Sequence, residues 1–299
     1  MDGGLVVILV SAAMFAGTFL LGFIPLLFKL SERSVRLVSI LGAGLLCGTA
    51  LAVAIPEGMG LLEESWRASC ADSPSSPNAS GNKDVNSTSA AASPEFFIGL
   101  ALTLGFMLMF VVDQTGSYLS TREHTNRAGI TATMGLVIHA AADGFALGAA
   151  VATDKVTVQV IVFGAVILHK APAAFGLVSF LMSAGLQKKW IQGHLLAFSA
   201  AAPSVAVATY FILRASGSSS QSQFSAAGVG MLFSAGTFLY VATVHILPEI
   251  SGTATPSSEV QQLTEGEDKP RRHLGLLESL ILIVGMALPL LLALGLRDN

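Results

Sequence analysis

Residues 5–28, 35–57, 96–113, 130–151, 156–182, 194–213, 225–249 and 274–296 each form a predominantly apolar run, close to the about 20 residues a helix needs to cross a hydrocarbon core. Runs of this kind cannot be sheltered inside a water-soluble domain here. Charged residues are only 12% of the 299, about half the usual share, too few to cover a water-facing surface. Lipid offers no partner to backbone amides, so each run must satisfy its own hydrogen bonds as a helix. The expectation is an all-α membrane protein with eight transmembrane helices and a single membrane domain over residues 1–299. The first run carries Asp2 in place of a basic n-region and is followed by seven more, so it is expected to stay as a span and not to be removed as a signal peptide. A net charge of −3 leaves no basic stripe for phosphates, which argues against a nucleic-acid partner. Cys47 lies in an apolar run and Cys70 in a polar loop, so neither a disulfide framework nor a CxxC zinc site is indicated.

Orientation follows from the basic residues, which cytoplasmic loops concentrate. One set of connections holds ten, namely Lys29, Arg33, Arg36, Arg122, Arg127, Lys188, Lys189, Lys269, Arg271 and Arg272. The opposite set, with both termini, holds five: Arg67, Lys83, Lys155, Arg214 and Arg297. Both termini are therefore expected in the lumen or outside the cell. The loop 58–95 falls on the same side; its Ser, Pro, Asn and Ala-rich part is too polar to pack and is expected to be disordered. It carries two N-x-S/T acceptors for glycosylation, Asn78 and Asn86, usable only there. A second flexible loop, 250–273, is expected in the cytosol.

An offset of 192 pairs Ala43 with Ala235, Gly44 with Gly236, Ala50 with Ala242, and Pro56-Glu57 with Pro248-Glu249. The two spans concerned, the second and seventh, run in opposite directions. That is the pattern of an inverted repeat, with spans one to three mirrored by six to eight about the central pair, four and five.

The ionisable groups sit in that central pair, where each charge costs about 2.5–3.5 kcal/mol or more and marks a substrate path or relay. Span four reads His139-Ala-Ala-Ala-Asp143-Gly144, which stacks an imidazole over a carboxylate one turn apart. Span five reads His169-Lys170-Ala171-Pro172. The ring of Pro172 crowds the carbonyl of Leu168 and frees a backbone acceptor beside His169. Both histidines lie about 15 Å from the span ends, half of a ~30 Å core, and are placed to meet. His139, Asp143 and His169 form a three-ligand set of the type Zn²⁺ takes, with a fourth position open, which suits an ion that must leave again.

The runs HAAADG at 139–144, HKAPAAFGLVSFLM at 169–182, LGAGLLCGTALAVAIPEG at 41–58 and FSAGTFLYVATVHILPE at 233–249 touch most of the spans. In these runs the chain resembles the ZIP (Zrt/Irt-like) family of zinc transporters. The resemblance implies that Zn²⁺ is a transported substrate and not a cofactor, that it moves toward the cytosol, and that spans one, four, five and six carry it against two, three, seven and eight. It also implies a homodimer in the trans-Golgi network and plasma membrane. Family members place HNxxD in span four and HExPH in span five around two metals. Here His139, Asp143 and His169 match, but Ala140, Lys170 and Ala173 replace the remaining donors. Lys170 is accordingly expected as a charge modulator, its ammonium standing where a second cation would sit.

Glu57 would lie at the lumenal mouth as an uptake ligand. His245 and Glu249, four residues apart, would join Asp113 on the cytosolic exit path. An intramembrane metalloprotease would need a Glu base as in HExxH, and position 170 is Lys, so the chain is not read as an enzyme. Two other readings stay open: transport of Fe²⁺, Mn²⁺ or Cd²⁺, and the membrane steroid (androgen) receptor role, coupled to a G protein, that the resemblance brings for part of the family.

Overall fold

The computed structural model describes residues 3–27, 31–71, 94–119, 127–153, 155–246 and 275–297, and they are helical almost throughout, with no strand among them. Helix α1 spans Gly3–Leu27. Helix α2 begins at Glu32–Thr49, widens into a π turn at Ala50–Ala54 and continues through Ile55–Ala71. Helices α3 (Pro94–Leu119), α4 (Arg127–Ala152), α5 (Val156–Ser183) and α6 (Lys188–Ala215) follow. Helix α7 runs Ser220–Tyr240 and passes into a second π turn at Val241–Ile246, and α8 covers Leu276–Arg297. Seven of these are long and apolar enough to cross a membrane, and α8 adds a shorter apolar stretch, Leu276–Leu291. Large apolar side chains along α3, including Met107, Phe110 and Val111, face outward, as they would toward lipid tails.

Helix ends are set by local chemistry. The side chains of Ser31 and Ser219 accept hydrogen bonds from the amides of Ser34 and Ser222, capping the starts of α2 and α7. Helix α5 stops at Gly185, whose φ of +76° lets the amide of Leu186 reach back to the carbonyl of Leu181. Gly217, at +64°, turns the chain after α6 in the same way.

Sequence reasoning ends the second span at residue 57 and begins a loop at 58, whereas the helix continues to Ala71. Leu61 and Leu62 are buried and Trp66 packs on Phe97 of α3 at 5.8 Å, so this extension has its own apolar footing. The rest of the 58–95 loop, with Asn78 and Asn86, and the 250–273 loop lie outside the described residues up to Ser93 and from Leu247 respectively.

Two bundles result. Helices α1, α4, α5 and α6 pack together, as do α2, α3, α7 and α8, and the bundles meet where α4 crosses α7 and α5 crosses α2. The inverted repeat is legible in the packing. Gly44 of α2 lies against Gly285 of α8, with Cβ space of only 3.0 Å to its Cα. Its counterpart at the offset of 192, Gly236 of α7, lies against Leu102 of α3. The π turns overlap at the same offset, Ala50–Ala54 mapping onto 242–246 within Val241–Ile246, and in the sequence each stands just ahead of a proline, Pro56 or Pro248. Close backbone approach of this kind needs small residues, because helix association in lipid depends on contact and not on water.

Candidate metal centre

Helix α4 delivers His139 and Asp143, and α5 delivers His169 and Lys170, all four within 1% of complete burial. One carboxylate oxygen is the focus. Oδ2 of Asp143 lies 2.9 Å from Nε2 of His169, 3.4 Å from Nε2 of His139 and 3.6 Å from Nζ of Lys170. Ligand atoms of His139, Asp143 and His169 all fall within 4.8 Å of one another, and they are the metal-capable group found among the described residues. Zinc bonds of about 2.0–2.1 Å place neighbouring donors of a tetrahedral ion roughly 3.3 Å apart. The His139–Asp143 pair already has that spacing, whereas His169 is held to Asp143 by a 2.9 Å hydrogen bond that an ion would have to replace.

Aromatic rings surround the polar atoms. Phe238 of α7 stacks on the His139 ring at 4.4 Å and 10°. Phe198 of α6 lies under the Lys170 ammonium, 4.6 Å from ring centroid to Nζ. That nitrogen has no hydrogen-bond partner, so its compensation in the membrane interior is electrostatic, from Asp143 and the ring. Ala140 and Ala173 are completely buried and present only methyl groups.

Two further side chains were not singled out from the sequence. Ser234 of α7 donates a short hydrogen bond to Oδ1 of Asp143 and its Oγ lies 2.9 Å from Nδ1 of His139. Thr237, one turn on, places Oγ1 at 3.3 Å from the same nitrogen. The signal that would have found them is a pair of hydroxyls three residues apart inside an otherwise apolar span.

Of the residues expected on the exit and uptake paths, Asp113 and Glu57 are not part of the buried His139–Asp143–His169 group. Asp113 of α3 accepts a hydrogen bond from the hydroxyl of Tyr240 at 3.0 Å. Tyr240 lies six residues beyond Ser234, or about 9 Å along α7. Glu57 is half-buried just past the first π turn. The His245 side chain and Glu249 lie outside the described residues.

Fold and site together define a multi-pass, all-α membrane protein with a buried His–Asp–His group able to hold a metal ion at the contact of its two central helices. The family profile described as ZIP Zinc transporter matches residues 5–129 and 123–293. The protein called zinc transporter ZIP9 in Xenopus tropicalis is 47% identical over 299 residues, covering 96% of each chain. That of Micropogonias undulatus is 44% identical over 311 residues, again covering 96% of each. The rat zinc transporter SLC39A7 is 31% identical over 146 residues, 48% of this chain and 29% of its own. The chain belongs to the ZIP zinc transporter family.

Proposed function

We propose that this protein carries Zn²⁺ from the secretory lumen or cell exterior into the cytosol, loading one ion at a time on His139, Asp143 and His169. The observation that carries the reading is the convergence of two imidazoles and a carboxylate within 4.8 Å, fully buried, at the middle of α4 and α5. Nothing about packing asks for such groups in lipid, and together they are the donors zinc prefers. Lys170 supports a single-ion site: its ammonium pairs with Asp143 when no ion is held and is pushed aside when one arrives, which keeps affinity moderate and release feasible.

Orientation is supported by the ten-to-five bias of basic residues, which favours both termini outside and Asp113 with His245 and Glu249 on the cytosolic side, and the inward direction comes with the family reading. The hydroxyl of Tyr240, lying between Ser234 and the cytosolic end of α7, gives the exit path a first polar step beyond the centre. Glu57 would gather the ion on the opposite side, and Asn78 and Asn86 would carry glycans there. A Golgi and plasma-membrane location and a dimeric state come with the family reading.

The deciding experiment is uptake of ⁶⁵Zn²⁺ into proteoliposomes holding the native chain, His139→Ala or His169→Ala. Uptake should fall to background in both variants. If both transport as the native chain does, the ion does not pass through this site and the reading is wrong.

A further inference from the structure

A buried hydroxyl left without partners costs about 1–3 kcal/mol, and Ser11, Ser179 and Ser199 carry that cost here, so the hydroxyls that do make several bonds stand out. Ser234 and Thr237 are both buried on α7, and the internal repeat shows that packing alone does not call for them. The offset of 192 pairs Ser234 with Gly42. At Gly42 the matching α2–α5 contact is bare backbone, with Cβ space of only 2.9 Å to the Cα of Gly176. The hydroxyls belong to the side of the molecule that faces the metal centre.

Their bonds orient the ligands. Nδ1 of His139 faces the carbonyl oxygen of Ser234 at 3.1 Å. A carbonyl only accepts, so Nδ1 carries the ring proton. Thr237 gives its own proton to that carbonyl at 2.6 Å and therefore offers Oγ1 to Nδ1 as an acceptor. Nε2 is left with its lone pair, buried, without a hydrogen-bond partner and 3.4 Å from Oδ2 of Asp143. Ser234 engages the other carboxylate oxygen, Oδ1, so Oδ2 is the one turned toward Nε2. Two acceptors facing each other in a low-dielectric interior repel, and a cation between them converts the repulsion into two bonds.

We propose that Ser234 and Thr237 are positioning residues of the zinc site, acting across the boundary between the bundles. They aim Nε2 of His139 and Oδ2 of Asp143 at the ion, so that tight binding exists only in this register of α4 against α7. A slide of α4 along α7 breaks all of these contacts together and loosens both ligands at once, which ties affinity to the relative position of the bundles. The proposal rests on the zinc-transport reading of the same site.

The test uses the full-length chain in proteoliposomes and ⁶⁵Zn²⁺, comparing native protein with Ser234→Ala, Ser234→Thr and Thr237→Val. Loss of the group that orients a metal-bound imidazole typically weakens affinity 10–100-fold. The KM of Ser234→Ala should therefore rise at least tenfold with Vmax largely kept, Ser234→Thr should return it toward the native value, and Thr237→Val should raise it several-fold. The electronic spectrum of bound Co²⁺ should shift in Ser234→Ala and recover in Ser234→Thr, a change that a general loss of packing would not reverse. If His139→Ala is inactive while Ser234→Ala and Thr237→Val keep native KM and spectrum, the positioning role is overturned and the transport reading survives. If His139→Ala transports normally, the transport reading itself is at fault.

Discussion

Replacing Lys170 by Met should tighten zinc binding about thirtyfold and slow turnover. The ammonium stands 3.6 Å from Oδ2 of Asp143, the oxygen an arriving ion must take. At about 4 Å and an effective dielectric of about 20, that attraction is worth roughly 4 kcal/mol. The displaced ammonium is not stranded: Phe198 already lies 4.6 Å away, and turning fully onto a desolvated ring recovers up to about 2 kcal/mol. The difference, about 2 kcal/mol, opposes zinc binding in the native chain and corresponds to roughly thirtyfold in affinity. A thioether has the length of the lysine stem without the charge, so the Met variant should show the gain in a competition titration of purified protein against a fluorescent zinc chelator. Its ⁶⁵Zn²⁺ turnover should fall, because an ion held more tightly leaves more slowly. Phe198→Ala should act in the opposite sense and weaken binding. A folded Lys170→Met protein with native or weaker affinity would refute the idea that this cation competes with zinc.

Gly44→Val should lower the thermal stability of the solubilised protein by several degrees, since the new side chain meets the backbone of Leu282 and Gly285, and overpacking costs about 1–3 kcal/mol. Gly60→Ala, on the same helix but with nothing within 4 Å, should be neutral or slightly stabilising in the same melt. Tyr240→Phe removes the hydroxyl bound to Asp113 and should reduce Vmax several-fold at unchanged KM for lumenal zinc; a changed KM with native Vmax would place Asp113 outside the exit path.

The meeting of His139, Asp143 and His169 was legible because helical spacing and depth are both one-dimensional quantities. His139 and Asp143 declare themselves four residues apart, and His169 lies at the same distance from its own span ends. Span lengths were legible for the same reason, as was the small-residue match between Gly44 and Gly236. The extension of α2 to Ala71 was not, since Leu61 and Leu62 are too few to outweigh a polar neighbourhood until α3 and α7 are there to cover them. Ser234 and Thr237 left only a faint trace, two hydroxyls three residues apart in an apolar span, which gains meaning once their partners on α4 are known. Lys170 could be recognised as an intruder in the ligand pattern, but the Phe198 ring beneath it belongs to another helix and leaves no trace in local spacing.

The widened turns at Ala50–Ala54 and Val241–Ile246 have a consequence for ancestry. In each, one surplus amino acid is swallowed by the rod, and after the first the ordinary winding resumes at Ile55. Ile55 still binds a carbonyl, now that of Ala50, five positions back. A surplus of this sort in the same phase of two antiparallel halves is more simply inherited once, before a duplication, than acquired twice. The halves have since parted company over their hydroxyls, with Ser234 standing opposite Gly42, yet they keep the same slack link ahead of the same proline.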